Sequence, residues 1–435
     1  MIKKIDMGKT YLKDLHQVFK FSNQDALENK KARLFPSGNT DNEILTTSIF
    51  LASLSAVKEY REELFLSIGI NKIKTRNVNL HVFTEINDSD SSNIPDGLIV
   101  ISSGKSNPVI EWAGFIEAKV RDNSIEESQV ERYVKFSRDI GINSIITISN
   151  QLVTTPMDSP VKTSKRSFEL YHWSWTYLKV TASRLIRTNQ VADEDHVFIL
   201  KELRRYFDSH KNLNNYTNMG KEWKDSVNKI HLYEKAQKID QKTLNSLVAS
   251  YVQEEKDLAL QLTDQSQFQI ELMVKDDRKA KIEEMLQSQK LITSDYCIDK
   301  NKQHKFSVDV DFIRQNITCY TTVTIDRGKA QAQTSALIRM LEAESGRTEN
   351  ILVNAFYLRN KCNRKDVSVA QLIEEKNQGE YYSVLEKDFG DQVKFFEIKT
   401  TDKLGKDFQS NQKFIVKLES IASVFLTQVM QNINK

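Results

Sequence analysis

Three residues in the first third of the chain have the types and the spacing for hydrolytic metal chemistry. Asp96 stands just before the apolar run 97–101, and Glu117 and Lys119 lie two residues apart in the run 115–120. Because side chains two apart in a strand point to the same face, Glu117 and Lys119 project together. If the two runs pair as a hairpin, Asp96 comes close to both. Two carboxylates with few other protein ligands suit Mg²⁺, which takes oxygen ligands and keeps several waters.

A helix is predicted on either side of these two strands. The helix 42–64 follows the capping-box pattern Thr40-x-x-Glu43, so Glu43 stands at the helix start. The helix 125–140 carries Gln129 on its apolar, inward face. A polar side chain on such a face needs a partner, and either the carboxylate cluster or a backbone carbonyl could provide it.

The order of these elements resembles the PD-(D/E)XK nuclease superfamily. The order is helix, strand, strand with Pro-Asp, strand with Glu-x-Lys, helix with glutamine, and strand, over roughly residues 43–175. The resemblance implies a restriction-endonuclease-like fold. It also implies that Asp96 and Glu117 bind the metal and that Lys119 positions or activates the attacking water.

The same resemblance makes Glu43 a third metal ligand and Gln129 the residue that completes the site from the following helix. Plainer explanations exist for two of the acids. Glu43 could serve only to cap its helix, and both explanations of Glu43 stay open. Pro95-Asp96-Gly97 is itself a turn signature, but the strand after it and the downstream Glu-Ala-Lys favour the metal site.

Two further patterns favour structural roles. A second Glu-x-Lys, at Glu397 and Lys399, is interpreted as a chance match, because no Pro-Asp precedes it and no glutamine-bearing helix follows it. His172, Trp173 and Trp175 could stack on nucleobases. Aromatic side chains at the end of a strand more often pack in a core, and we predict packing here.

The alternation of helices and strands predicts an α/β protein with three regions. Residues 1–185 form the nuclease-like domain, with a mixed sheet flanked by helices. Residues 186–266 form a helical region, and residues 267–435 form a second α/β domain to which no role is assigned.

The composition is that of a soluble globular protein, with 39% hydrophobic and 28% charged residues. No apolar run reaches the roughly 20 residues needed to span a bilayer, and the N-terminus lacks the apolar core of a signal peptide. The 3 cysteines are widely spaced and odd in number, which argues against a disulfide framework. We therefore expect a cytoplasmic protein without a membrane span. A net charge of +3 does not by itself indicate nucleic-acid binding.

These residues predict a Mg²⁺- or Mn²⁺-dependent endonuclease that hydrolyses phosphodiester bonds, with DNA as the expected substrate and RNA as a further candidate. The resemblance suggests a setting in restriction or anti-phage defence. A homodimer is expected because double-strand cutting needs two active sites or two binding events, and a complex with other defence proteins is a second option. The alternative is a catalytically inactive subunit that keeps the nuclease scaffold for nucleic-acid binding or assembly. Sequence specificity and the need for an activating partner stay open.

Overall fold

The computed structural model describes most of the chain and divides it into two compact units, Met1–Tyr216 and Thr217–Lys435. Both units combine helices with a sheet, so the predicted mixture of helix and strand is confirmed. The helical region predicted at 186–266 is divided between the units and does not stand alone. The described residues are 4–28, 30, 43–84, 86, 95–121, 124–163, 168–210, 213, 216–232, 238–274, 277–299, 301–326, 328–342, 350–357, 365–379 and 392–433.

The first unit contains a five-stranded mixed sheet in the order β1-β2-β3-β4-β5. Its strands are β1 (Val78–Thr84), β2 (Gly97–Ser103), β3 (Val109–Ala118), β4 (Ser144–Ser149) and β5 (Glu169–Ser174). The first three strands form an antiparallel meander, and β3, β4 and β5 are parallel. The predicted hairpin between the Pro-Asp strand and the Glu-x-Lys strand is confirmed as the β2–β3 pair.

Helices flank this sheet, and two of them differ from the prediction. They are α1 (Leu15–Val18), α2 (Gln24–Glu28), α3 (Glu43–Ala56), α4 (Lys58–Ser67), α5 (Glu127–Ile140), α6 (Trp175–Arg187) and α7 (Glu194–Ser209). The single helix predicted at 42–64 is two helices, because Val57 is extended (φ −99°, ψ 107°) and breaks the helix. The helix predicted at 125–140 begins later, at Glu127. Thr40 lies outside the described residues.

The sheet separates two apolar cores, because successive side chains of its central strands point to opposite faces. Ile99 and Ile101 of β2 pack into the core that contains α3, α4, α6 and α7. Leu98 and Val100 pack into the core that contains the N-terminal segment and α5. The strand ends between these cores are therefore held on both sides.

The prediction of core packing for the aromatic strand end is confirmed. His172 and Trp173 are fully buried and Trp175 is 1% exposed. Phe50 of α3 contacts both tryptophan rings edge to face, with centroids 6.1 and 6.2 Å away. These rings fix α3 against β5 and the start of α6.

The second unit is an antiparallel sheet packed with helices. The strand order is β11-β10-β12-β9-β8-β7-β6, and every pair is antiparallel. The predicted α/β domain is therefore an α+β arrangement, without parallel βαβ units among its described residues. The strands are β6 (Ile270–Leu272), β7 (Leu291–Ile298), β8 (Asn301–Asp311), β9 (Asn316–Val323), β10 (Leu352–Tyr357), β11 (Val367–Ser368) and β12 (Val393–Lys403).

The helices of the second unit pack in part around one long central helix, α9. They are α8 (Trp223–Leu232), α9 (Gln241–Gln265), α10 (Arg278–Gln289), α11 (Ala330–Glu342), α12 (Val369–Gln378), α13 (Lys413–Phe425) and α14 (Gln431–Ile433). A π-helical turn, Leu426–Met430, joins the last two. Within the described part of the chain, one helical stretch, Lys413–Ile433, has the length and hydropathy of a membrane span, and half of it is buried inside the unit.

Gly97 sets how closely α3 approaches the sheet. A Cβ at this position would lie 2.8 Å from Leu51 Cδ1 and 3.2 Å from the Phe83 carbonyl oxygen. The glycine begins β2, and its φ is outside the left-handed region. Pro95-Asp96-Gly97 therefore leads into a strand, and the glycine is required by close packing.

We expect Gly97→Ala to destabilise the first unit by about 1–3 kcal/mol, because overpacking forces side chains and backbone to shift. Combining it with Leu51→Val should recover part of the loss. The measurement is a double-mutant cycle by chemical unfolding, in which contacting residues show a coupling energy. If the changes in the free energy of unfolding of the two single variants were strictly additive, the close approach of α3 to Gly97 would not be the cause of the destabilisation.

Candidate active site

The β2–β3 hairpin brings Asp96 to the end of the Glu-x-Lys strand. Gly97 pairs with Ile116 in the antiparallel register, so Asp96 lies beside the last residues of β3. Its Oδ2 accepts a hydrogen bond from the Ala118 backbone N–H at 2.8 Å. Asp96 and Glu117 are thereby brought together, as the sequence pattern predicts.

Lys119 contacts two carboxylates. Its Nζ lies 2.5 Å from Glu117 Oε1 and 3.6 Å from Glu43 Oε2. The strand ends at Ala118, but the Lys119 backbone is still fixed. Its N–H donates to the Ile148 carbonyl at 2.7 Å, and its carbonyl accepts from Trp175 Nε1 at 2.8 Å. The Lys119 backbone is therefore anchored by both β4 and α6, and its ammonium is held by Glu117 and Glu43.

Glu43 is the first residue of α3 and faces this group of side chains. Its Oε1 accepts a long hydrogen bond of 3.4 Å from the Val120 N–H, and its Oε2 is the oxygen nearest to Lys119. The glutamate therefore faces the site from the helix start. We call Glu43, Asp96 and Glu117 the acidic cluster.

Gln129 reaches the site from α5, as its place on the inward face predicts. Its Nε2 donates to Glu117 Oε1 at 2.5 Å and lies 3.2 Å from the Tyr133 hydroxyl. Tyr133 is a member of the site that the sequence analysis did not select. The sequence feature that could have identified Tyr133 is its spacing of four residues from Gln129, which places the two side chains on the same face of α5. Burial, and then the charge of Glu117, raise the pKa of Tyr133, so its hydroxyl keeps its proton.

The site holds more negative than positive charge. Glu117 is 1% exposed, and burial raises its pKa above the ordinary value. Burial, followed by the charge of Glu117, raises the pKa of Asp96 to about 7. Burial lowers the pKa of Lys119, but the negative charges around it, first that of Glu117, outweigh burial and raise the pKa overall. One ammonium therefore faces three carboxylates.

The donor set fits a hydrated divalent cation. Glu117 Oε2 is buried and has no hydrogen-bond partner among the described residues, while Oε1 accepts from Lys119 and Gln129. Within the same residues, no group of three or more His, Cys, Asp or Glu side chains is placed to hold a metal ion by itself. Mg²⁺ is often bound through only one or two carboxylates and several waters. Asp96 and Glu117 are two such carboxylates, and Glu43 lies near them, with its Oε2 3.6 Å from Lys119 Nζ.

The second Glu-x-Lys has a different environment in β12. Lys399 Nζ lies 2.8 Å from Asp366 Oδ2 and 3.5 Å from Glu397 Oε1. Asp366, an acid that the sequence analysis did not consider, also accepts from Asn354 Nδ2 at 3.0 Å. The Glu397 side chain is 28% exposed, against 1% for Glu117. Water can solvate this pair, so it does not present the desolvated carboxylate found at β3.

Comparison with known proteins finds no match: no family model, no curated protein and no solved structure matches the chain.

The raised pKa of Asp96 predicts the sign of a pH effect. A carboxyl whose pKa is higher in the folded state stabilises the fold when protonated, and this contribution is lost as pH rises from about 4 through about 7. Asp96→Asn should therefore raise Tm above pH 7 in the presence of a chelator. The expected gain is at least about 2–4 °C, equivalent to about 1 kcal/mol in a unit of this size.

Thermal unfolding across this pH range measures the effect, and Glu111→Gln is the matched control. Hydrogen bonds from Lys72 and Ser103 lower the pKa of Glu111, so its removal should reduce stability at neutral pH. If the Asp96→Asn protein were less stable than wild type above pH 7, the inferred excess of negative charge at the site would be contradicted.

Proposed function

We propose that the first unit is a metal-dependent nuclease that hydrolyses phosphodiester bonds, with DNA as the expected substrate. The observation that carries this proposal is the state of Glu117. Its buried carboxylate accepts from Lys119 and Gln129 through one oxygen, while the other oxygen has no hydrogen-bond partner among the described residues. The charge of Glu117 also acts on Asp96. An orphaned buried carboxylate oxygen is costly and calls for a functional explanation.

Each residue of the site has a proposed part. Asp96 and Glu117 would hold Mg²⁺ or Mn²⁺, with Glu43 as a further ligand, directly or through water. A divalent cation bound there supplies a water of lowered pKa and neutralises the charge that develops on the phosphate. Gln129 fixes the orientation of Glu117, as outer hydrogen-bond partners of metal ligands do.

Lys119 acts in this proposal as a cation and hydrogen-bond donor. Its pKa is raised, so Nζ holds its proton at neutral pH. The protonated Nζ would orient the attacking water or contact a phosphate oxygen beside the acidic cluster. Such a preorganised donor stabilises charge that develops in the transition state.

The biological setting is proposed on the resemblance alone. An endonuclease of this kind would suit restriction or anti-phage defence, as a homodimer or together with other defence proteins. Cleavage of both strands of a duplex requires two active sites or two binding events, and this is the reason to expect a dimer.

A second candidate function is a catalytically inactive nucleic-acid-binding or assembly subunit. The observation that favours it is the ion pair itself, because Lys119 already contacts the oxygen of Glu117 that also accepts from Gln129. In this case the lysine would replace a metal as the counter-charge of the acidic cluster. The two functions predict different responses to divalent cations.

Cleavage of plasmid, linear and single-stranded DNA and of RNA, with Mg²⁺ or Mn²⁺, tests the nuclease. We expect Lys119→Gln to lower the cleavage rate by about 10²–10³-fold, the range for loss of one preorganised donor to charge that develops in the transition state. Glu117→Gln should lower it at least as much. The control is Lys72→Gln/Glu111→Gln, which breaks an exposed lysine–glutamate pair of the same unit with a 2.7 Å contact. Equal activity of all variants would contradict the assignment.

Metal-dependent stability separates the two functions. If the cluster binds Mg²⁺ or Mn²⁺, saturating metal should raise Tm of the wild-type protein, since a ligand that binds only the folded state stabilises it. At 100 times Kd the stabilisation is about 2.7 kcal/mol. Asp96→Asn should abolish the shift. A shift in neither protein, together with no cleavage of any substrate, would favour the inactive subunit.

A further inference from the structure

The second unit contains a concave pocket lined by cationic and neutral polar side chains. Its volume is about 630 Å³, and its described lining contains no carboxylate. We call it the lysine pocket. The lining residues are Lys221, Lys224, Lys406, Gln409, Ser410 and Asn411.

Two chain segments form the pocket, and buried contacts hold them together. The Met219 N–H donates to the Asn411 carbonyl at 2.9 Å. Trp223, 1% exposed, donates from Nε1 to the Phe408 carbonyl at 3.0 Å. Its ring also packs on Phe414, with centroids 4.7 Å apart. The lysines at the start of α8 and the polar residues before α13 are therefore held at a fixed spacing.

The charge in the pocket is uncompensated. Lys221, Lys224 and Lys406 are exposed, and none of them forms an ion pair with a described residue. Lys413, nearby in sequence, is different, because its Nζ lies 3.0 Å from Asp407. The acids of α8, Glu222 and Asp225, line a separate concavity.

Two helices begin near the pocket. α8 begins at Trp223, two residues after Lys221, and α13 begins at Lys413, two residues after Asn411. The N-terminus of a helix carries a partial positive charge and unpaired N–H groups, which favour anions. Asp225 lies in the first turn of α8, and the Lys413 N–H already donates to Ser410 Oγ at 3.3 Å, so the positive potential of the pocket comes mainly from its three ammonium groups.

We infer that the lysine pocket binds the phosphodiester backbone of a nucleic-acid strand. Sites for small organic ligands are mostly apolar with a few polar groups. This lining contains no aromatic or large aliphatic side chain to hold a nucleobase. Lysines and amides suit repeated phosphate groups, so binding is independent of sequence. The choice of nucleic acid over another polyphosphate rests on the proposed function.

The number of lysines fixes the size of the expected effect. Each phosphate neutralised by a lysine adds about 0.9 to the slope of log K against log salt for a duplex and about 0.7 for a single strand. Three contacts therefore account for about 2.7 or about 2 of the slope. Substituting all three lysines should reduce the slope by up to that amount.

The test is binding of fluorescent single-stranded and duplex DNA across a salt series, in chelator, by full-length protein with Glu117→Gln. Lys221→Gln/Lys224→Gln/Lys406→Gln should weaken binding at every sequence tested and reduce the salt slope by about 2–3. The charge-matched control is Lys279→Gln/Lys394→Gln/Lys417→Gln, which changes three exposed lysines of the same unit outside the pocket. The control should leave the slope within about 0.5 of the parent.

An unchanged slope in the pocket variant, or an equal change in the control, would overturn the inference. Displacement of the oligonucleotide by ATP or inorganic phosphate at lower phosphate concentration than by unlabelled DNA would also overturn it, since the pocket would then be a small-anion site. The two proposals fail separately. If the wild-type protein cleaves nucleic acid but the pocket variant has the parent's salt slope, only the pocket inference is contradicted. If the pocket variant has the reduced salt slope but the wild-type protein cleaves no substrate, only the nuclease proposal is contradicted.

Discussion

The first unit is organised around a buried carboxylate that its surroundings only partly neutralise. Removing an ionised carboxylate from water costs several kcal/mol unless it is paired and hydrogen-bonded. Glu117 receives the Lys119 ammonium and the Gln129 amide on one oxygen. Asp96 and Glu43 add negative charge around the same ammonium. The fold therefore sustains a local excess of negative charge.

The sheet makes this arrangement sustainable because it fixes each group from a different direction. β2 brings Asp96 to the N–H of Ala118, while β4 and α6 hold the backbone of Lys119. α5 supplies the amide that orients Glu117. Two apolar cores, one on each face of the sheet, hold these elements against one another. Groups fixed in this way can move neither into water nor apart from one another, so burial first, and the charge of Glu117 second, keep the pKa of Asp96 raised.

The second unit uses the opposite charge and a different kind of support. Its lysine pocket is placed by a buried tryptophan, Trp223, that ties the start of α8 to the segment before α13. The lysines themselves are solvated, so they need no buried counter-charge. The acidic cluster of the first unit is desolvated and consists of a few rigidly held groups, which suits selective chemistry. A solvated group of like charges suits contact with a repeating, flexible polyanion.

The sequence by itself determined the identity and local order of the site. Short apolar runs predicted the Pro-Asp and Glu-x-Lys strands, and helical periodicity placed Gln129 inward. It did not predict the break at Val57 or the antiparallel sheet of the second unit, because neither strand pairing nor a helix break under tertiary packing is visible in a local pattern. Tertiary structure alone decided that Glu43 faces Lys119, that Tyr133 joins the site, and that one oxygen of Glu117 has no hydrogen-bond partner among the described residues. The physical reason is that burial and charge balance depend on residues distant in sequence, and a local pattern records neither.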